Sequence, residues 1–235
     1  MPVTDDLRAI AERANRDLDA VHDFFEHSKI VWRSFRVMVE EGHKVSAHNL
    51  ATGNAIDQDG LLRLASHYTR DYLAAFTFRQ FVSTFEVFLF DFLHRLFLHN
   101  PWQFAGKQLA FDLVLKAKDR EEIVSGLLRK QLNELKYENP RAWFDALNKT
   151  IKLDCPTEDE IAQFVEVKAT RDLLEHNANV VNEIYLHKAA KKARYGVGEP
   201  ADIDDNYHLD SWRLLKKIAA DISAAALARL PSPAT

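Results

Sequence analysis

Glycine and proline are scarce in this chain and grouped at a few places, which limits how often the backbone can turn sharply. There are seven of each among 235 residues, about half of the roughly 12% that proteins average. Sheet proteins need turn residues at roughly 8–12-residue spacing, and this sequence lacks them. The breakers fall at Gly42, Gly53 and Gly60, at Pro101 and Gly106, at Pro140, at Pro156, and from Gly196 to Pro200. The intervals between them predict long helices.

The apolar pattern agrees with helices at both ends of the chain. Spacings of three and four place apolar side chains on one helical face. Near the N-terminus the pattern comprises Leu7, Ile10, Ala14, Leu18, Val21 and Phe25. Near the C-terminus it comprises Trp212, Leu215, Ala219, Ile222, Ala226 and Leu230. We therefore expect an all-α fold whose first and last helices each bury one face.

Residues 61–98 predict one long central helix. Its main stripe consists of Phe81, Phe85, Phe88, Phe92 and Leu96. Other faces carry Phe78, Phe90 and Phe97, and a helix that is apolar on several faces is covered on several sides. The charged residues within its apolar run argue against a membrane span.

The rest of the chain predicts shorter helices and one more long one. The segments around 108–136 and 141–150 are more polar and predict peripheral helices. Thr157 and Glu160 have the spacing of a capping box, so a further helix should begin there. We predict a single all-helical domain over residues 1–235, in which 101–156 is the part most like an insertion.

The composition of the chain excludes several classes of function. The net charge of −4 gives no strong overall attraction to nucleic acid or membrane, so such binding needs a local patch. The single cysteine, Cys155, excludes an internal disulfide and a cysteine-rich zinc site and fits a reducing cytoplasm. The first twenty residues are acidic and amphipathic, so we expect no secretory signal. Without a glycine-rich phosphate loop or a Ser or Cys nucleophile signature, we expect no cofactor.

The stretch RDLLEHN, residues 171–177, holds the residues best suited to chemistry. The pattern of an arginine followed, after four to six residues, by a histidine occurs three times in this chain, and about two matches are expected by chance. The spacing alone is therefore uninformative. Arg171 and His176 differ from the other matches in their surroundings.

The wider stretch VEVKATRDLLEHNANVVNEIYLHKAA resembles the motif region of the HEPN superfamily (higher eukaryotes and prokaryotes nucleotide-binding). Those domains carry arginine, a polar residue, a few mostly apolar ones and histidine, often followed by asparagine. Here these positions are Arg171, Asp172, His176 and Asn177. The segment FRQFVSTFEVFLFDFLHRL resembles the family's preceding core helix, in which Glu86 matches a glutamate after a small hydroxyl residue. The resemblance covers about residues 61–100 and 157–230 and implies a HEPN-like antiparallel helical bundle with extra peripheral helices.

The resemblance implies a metal-independent RNA endonuclease, with Arg171 and His176 catalytic and Asp172, Asn177 and Glu86 supporting them. Histidine, with an unperturbed pKa of about 6.5, can act as base or acid near neutral pH. Arginine matches phosphate oxygens with a permanent charge. Five helical positions separate the two by about 140°, so a break near Asn177 or a subunit interface would be needed to bring them together.

One histidine cannot act on both sides of an in-line displacement. A two-fold dimer supplies two copies of the pair in one composite cleft, as in the family's catalytic members, so we predict a homodimer. A toxin or defence role would imply an inhibitory protein partner. Downstream, LHKAAKKAR offers an RNA-backbone-binding group: Lys188, Lys191, Lys192 and Arg194.

Other interpretations remain open. The basic run is equally typical of a solvated helix face. A non-catalytic HEPN module that binds a nucleotide, RNA or a protein partner is favoured by Asp172 and Glu175, which make the motif more acidic than usual. A purely scaffolding helical protein needs only the periodicity. His94, His99 and Asp91 have poor spacing for a metal site, so we expect no metal.

Overall fold

Helices account for the regular structure of this protein, as the Gly and Pro distribution predicts, and the all-α class is confirmed. The computed structural model describes residues 3–108 and 111–230. Within these ranges there are no strands, only the isolated bridges His48–Ala55 and Val180–Pro200. The α-helices are α1 (Val3–Glu40), α2 (Gln58–His67), α3 (Ala74–His99), α4 (Phe111–Lys116), α5 (Arg120–Lys136), α6 (Pro140–Ile151), α7 (Glu158–His176), α8 (Glu183–Ala189) and α9 (Asp205–Arg229).

The predicted helix over 61–98 corresponds to α2 and α3 together, joined by a π-helical turn. The turn spans Tyr68–Leu73, and the residues at its junctions, Tyr68 and Ala74, keep right-handed helical backbone angles. The helix therefore continues from residue 58 to residue 99. A π turn widens a helix locally and often occurs where a protein has a functional reason for it.

The long helices run antiparallel to their neighbours, as the ion pairs between them show. In each pair of helices, the residue numbers of the paired side chains increase along one helix and decrease along the other. The ion pairs are Asp6–Arg95 and Arg13–Asp91 for α1 and α3, Arg171–Glu86 and Glu175–Arg79 for α7 and α3, and Asp19–Lys216 and Lys29–Asp205 for α1 and α9. The C-terminal ends of α1 and α7 thus lie at the same end of the bundle as the N-terminal parts of α3 and α9.

One large cluster of buried side chains draws on α1, α3, α5, α6, α7 and α9. The predicted phenylalanine stripe of α3 is buried in it, and so are Phe90 and Phe97 on the other faces. The segment 101–156 is less peripheral than expected, because Trp143 and Phe144 of α6 are buried in the same cluster. A short helix with a continuous apolar face is stable only when other parts of the protein cover that face. No helix among the described residues is both long and apolar enough to cross a bilayer.

A histidine is buried among aromatic rings where α9 meets α1 and α3. His208 is fully buried, with its ring centroid 3.7 Å from that of Phe25. Burial, with smaller effects from His22 and Lys29, lowers the pKa of His208 to about 3. Thr77 donates its hydroxyl proton to the Leu73 carbonyl, so its oxygen accepts from His208 Nε2 at 2.8 Å. His208 is therefore a neutral core residue with its proton on Nε2.

Candidate functional site

Helix α7 carries the motif and has a well-defined start and end. At its start Thr157 and Glu160 form both hydrogen bonds of the predicted capping box. At its end the helix stops at His176, and Asn177 caps it by donating its backbone N–H to the Leu173 carbonyl. Ala178 and Asn179 then take left-handed backbone angles. The backbone therefore breaks directly after His176, at the position where the sequence allowed a break.

The structure brings Arg171, Glu86 and Asp172 together between α7 and α3. Arg171 Nη2 lies 2.7 Å from Glu86 Oε1, and its Nη1 lies 3.4 Å from Asp172 Oδ1. Lys168 Nζ lies 3.2 Å from the same Glu86 oxygen and 3.3 Å from Asp172 Oδ1. Lys188 of α8 reaches Asp172 Oδ2 at 3.2 Å. Three cations thus share two carboxylates, which leaves one positive charge in excess.

We call Arg171, Lys168, Lys188, Glu86 and Asp172 the motif cluster. Arg171 and Lys168 are mostly buried, with 17% and 16% of their side chains exposed. Arg171 Nε is buried and has no hydrogen-bond partner within the described chain. A buried donor without an acceptor costs on the order of 1–3 kcal/mol, so the described residues do not satisfy every donor of Arg171.

An open groove of about 440 Å³ runs beside the motif cluster. Arg171, Lys168 and Glu86 line it on one side, with Lys136 and Asp91 also at its border. Apolar lining is contributed by Val87, Phe90 and Trp143. The groove thus combines excess positive charge with apolar walls, a combination that suits a phosphate-bearing chain.

His176 lies at the last position of α7 and is exposed. Among the described residues no hydrogen bond joins it to Arg171 or Asp172: the Asp172 oxygens contact Lys168, Arg171 and Lys188 instead. Glu175 beside it pairs with Arg79 of α3 at 3.8 Å. Asp172, which the resemblance makes a supporting residue, therefore contacts Arg171 and not the imidazole of His176. His176 is unconstrained and accessible, whereas Arg171 is held firmly.

Asn177 has a structural part in the motif. Its side-chain Nδ2 donates to the Val180 carbonyl, which closes the turn after His176. The turn is tied to the segment before α9 by Val181 N–H to Glu199 O and Ala201 N–H to Asn179 O, both at 2.9 Å. These bonds fix the direction in which the chain leaves His176.

The predicted RNA-backbone-binding residues separate into two groups. Lys188, Lys191 and Lys192 line a second open groove of about 610 Å³, together with Arg141 and His187. Lys192 pairs with Asp159 at 2.6 Å, but that contact is largely exposed. These lysines remain accessible to an anionic ligand.

Arg194, in contrast, belongs to a buried network that the sequence did not reveal. Its Nε lies 3.2 Å from Glu166 Oε1, and its two terminal nitrogens donate to the Asp202 carbonyl at 3.2 Å. Its guanidinium stacks 3.2 Å from the centre of the Tyr207 ring. Since every nitrogen of the guanidinium is already engaged, Arg194 is poorly placed to bind RNA.

Glu166 is the centre of this network, which we call the Glu166 network. Its side chain is 5% exposed and accepts from Thr170, Tyr185 and Tyr207, each at 2.8 Å, as well as from Arg194. Burial, and then the Glu166 charge, raises the pKa of Tyr185 to about 12 and that of Tyr207 well above its usual value. Burial acts to lower the pKa of Arg194, but Tyr207 and Glu166 raise it above its ordinary value. Tyr185, Tyr207 and Arg194 therefore keep their protons near neutral pH.

Sequence reasoning missed two cations of the site, Lys168 and Arg79. Lys168 lies three and four residues before Arg171 and Asp172, a spacing that places all three on one helix face. That signal was available in the sequence. Arg79 had none, because its approach to Glu175 depends on the antiparallel register of α3 and α7.

Within residues 3–108 and 111–230, no three His, Cys, Asp or Glu side chains are grouped so that they could hold a metal ion. Asp91, considered with His94 and His99, instead pairs with Arg13 of α1. Comparison of the chain with protein-family models, with curated proteins and with solved structures finds no match.

Proposed function

We propose that this protein is a metal-independent RNA endonuclease that uses Arg171 and His176. The observation that carries the proposal is the Arg171 guanidinium, which lines an open groove with an excess of positive charge and whose Nε has no acceptor among the described residues. A phosphate in the groove would accept from this guanidinium, and guanidinium groups bind phosphate strongly because they donate in parallel. The resemblance of residues 171–177 to the HEPN motif supports the same assignment.

The reaction we propose is attack of the ribose 2′-hydroxyl on the adjacent phosphate, with release of the 5′-oxygen. Arg171 would bind a non-bridging phosphate oxygen and stabilise the charge that builds up on the phosphorane. His176 would take the proton from the 2′-hydroxyl or give one to the leaving oxygen. Glu86 would hold Arg171 in place, which lowers the entropic cost of alignment.

The separation of the two residues favours a homodimer. Since Arg171 binds Glu86 while His176 projects from the end of α7, one chain supplies the pair in a poor geometry. Two chains related by a two-fold axis would place two histidines around one phosphate. Val180 and Ile184, which follow His176 closely, are 39% and 64% exposed, and apolar exposure of this kind suits a subunit contact. Sedimentation showing only monomer at micromolar concentration would contradict the composite site.

A second candidate function is RNA or nucleotide binding without cleavage. It is favoured by Glu86 and Asp172, which already neutralise most of the charge on Arg171 and Lys168. In that case an inhibitory partner protein is unnecessary, and neither Arg171 nor His176 performs chemistry.

RNA cleavage in EDTA tests the proposal and separates the two candidates. We expect wild-type protein to cleave single-stranded or transfer RNA without metal, and His176→Ala to lose about 100-fold or more of the rate, in line with removal of a general acid or base. His99→Ala is the matched control, because His99 is exposed at the far end of α3. Binding without cleavage, unchanged in His176→Ala, would favour the binding module. Cleavage unchanged in His176→Ala would contradict the assigned site.

A further inference from the structure

A third concentration of positive charge lies on α1, in a groove that has no lining residue in common with the two grooves already described. A groove of about 320 Å³ opens between the C-terminal half of α1 and the helix formed by α2 and the π turn. Its volume falls in the roughly 300–1,000 Å³ range of small-molecule sites. We call it the α1 groove, and its cationic residues are Lys29, Arg33, Arg36 and Arg70.

Two of these four cations have carboxylate partners and two do not. Lys29 lies 2.6 Å from Asp205, and Arg36 lies 2.7 Å from Glu40. Arg33 and Arg70 form no ion pair with any residue that the structure describes, and both are exposed. In a chain with a net charge of −4, two unneutralised guanidinium groups on one groove are a local feature and not a property of the whole surface.

An aromatic side chain shares the same groove. Trp32 lines it and is only partly buried. Its ring is fixed by Tyr68 and Phe35, whose centroids lie 5.3 Å and 5.6 Å away. A fixed indole offers a flat apolar surface on which a planar ring can stack at little cost in side-chain entropy.

The π turn explains how these groups meet. Thr69 and Arg70 lie in the turn and line the groove. The Thr69 hydroxyl donates to the Ala65 carbonyl at 2.7 Å, which anchors its side chain. The turn thus presents Arg70 toward α1, where Arg33 and Trp32 lie one position apart on the same helix.

We propose that the α1 groove binds a phosphate-bearing small molecule with a planar ring, of the chemical class of the nucleoside diphosphates. Arg33 and Arg70 would bind the phosphates, since guanidinium groups match phosphate oxygens in charge and geometry. The ring would stack on Trp32. This site is separate from the groove beside the motif cluster, because the two grooves have no lining residue in common, and it does not depend on RNA cleavage.

Titration calorimetry of the full chain with ADP tests the assignment. We expect one ADP to bind per chain and Arg33→Gln/Arg70→Gln to weaken binding at least tenfold. Arg8→Gln is the control, because Arg8 is an exposed arginine of α1 about 38 Å along the helix from Arg33, and it should bind ADP as wild type does. Trp32→Leu should weaken ADP but leave inorganic diphosphate unchanged.

Several results would overturn the proposal. Absence of ADP binding would do so, and so would equal binding by wild type and Arg33→Gln/Arg70→Gln. If adenosine bound as tightly as ADP, the phosphate contacts would be wrong, and if diphosphate did, the ring contact would be wrong. A short single-stranded RNA bound through Arg33 and Arg70 more tightly than ADP would make the groove an RNA site instead. Arg33→Gln/Arg70→Gln should keep wild-type RNA cleavage, so this proposal and the nuclease proposal can fail separately.

Discussion

Helix α7 presents two glutamate–arginine clusters that differ in how fully their hydrogen bonds are satisfied. In the Glu166 network the carboxylate is buried, accepts from four donors, and every nitrogen of the Arg194 guanidinium has an acceptor or an aromatic ring beside it. In the motif cluster Glu86 is 23% exposed and Arg171 Nε has no partner. The first cluster has no unpaired buried side-chain atom among the described residues, and the second has one.

This difference teaches how to assign a role to a buried arginine. Both arginines are mostly buried, with 22% of Arg194 and 17% of Arg171 exposed, so burial does not distinguish them. What distinguishes them is the remaining capacity to donate beside an accessible groove. Complete networks rigidify a fold, whereas an unmet buried donor requires an explanation, and the one we propose for Arg171 is a role in phosphate binding.

The largest expected effect on stability comes from breaking the complete network. Glu166→Gln should lower the free energy of unfolding by about 3–5 kcal/mol, because it leaves the Arg194 charge buried without its partner. Glu86→Gln is the matched change in the motif cluster and should cost less, because Glu86 is 23% exposed and both Arg171 and Lys168 keep Asp172 as a partner. Urea unfolding measures both. Equal losses would mean that the two clusters do not differ as described.

The Glu166 network should also make the protein sensitive to alkaline pH. The folded-state pKa of Tyr185 is raised to about 12, above the usual value near 10. Between these values the unfolded chain gives up the proton first, so stability is complete below pH 10 and falls as the pH rises toward 12. We expect a loss of roughly 1–3 kcal/mol from this group. Unfolding of Tyr185→Phe should show a shallower decline over that window, and an identical decline would show that Tyr185 does not contribute.

A smaller effect is expected at the lysines beside the motif cluster. If Lys188, Lys191 and Lys192 each contact a phosphate of single-stranded RNA, each Lys→Gln change should reduce the slope of log affinity against log salt by about 0.7. RNA binding measured at several salt concentrations gives the slope. Arg213→Gln, at an exposed residue of α9, is the control and should leave it unchanged. Unchanged slopes in all three lysine variants would assign the basic run to the solvated surface.

The all-α fold was largely predictable because helices depend on local sequence signals, such as apolar spacing and capping residues. The phenylalanine stripe of α3 is buried as the spacing predicts. In the N-terminal pattern Leu7, Ala14, Leu18 and Phe25 are buried, and Ile10 and Val21 pack against the core while partly exposed. The capping box at Thr157 marked the start of α7 within the sequence itself. The π turn at Tyr68–Leu73 was not foreseen, and the sequence predicted one uninterrupted α-helix there.

The site was less predictable because its contacts join residues far apart in the chain. Glu86 lies 85 positions from Arg171, and it entered the sequence argument only through the family resemblance. Arg194 looked like part of a basic run, yet its nitrogens meet Glu166 and Asp202 once the chain folds. By charge alone, the three lysines and Arg194 are equivalent in the sequence. In the folded protein they differ, because Arg194 is mostly buried and all its nitrogens are engaged, whereas the lysines are accessible.

Parallel measurement of Arg171→Gln and Arg194→Gln tests the central claim most directly. RNA cleavage in EDTA and the free energy of urea unfolding are measured on both. Arg171→Gln should lose about 100-fold or more of the cleavage rate but less stability than Arg194→Gln, because Lys168 still pairs with both Glu86 and Asp172. Arg194→Gln should lose about 3–5 kcal/mol of stability but retain its cleavage rate under conditions in which it stays folded. Cleavage by Arg171→Gln at the wild-type rate would contradict the account.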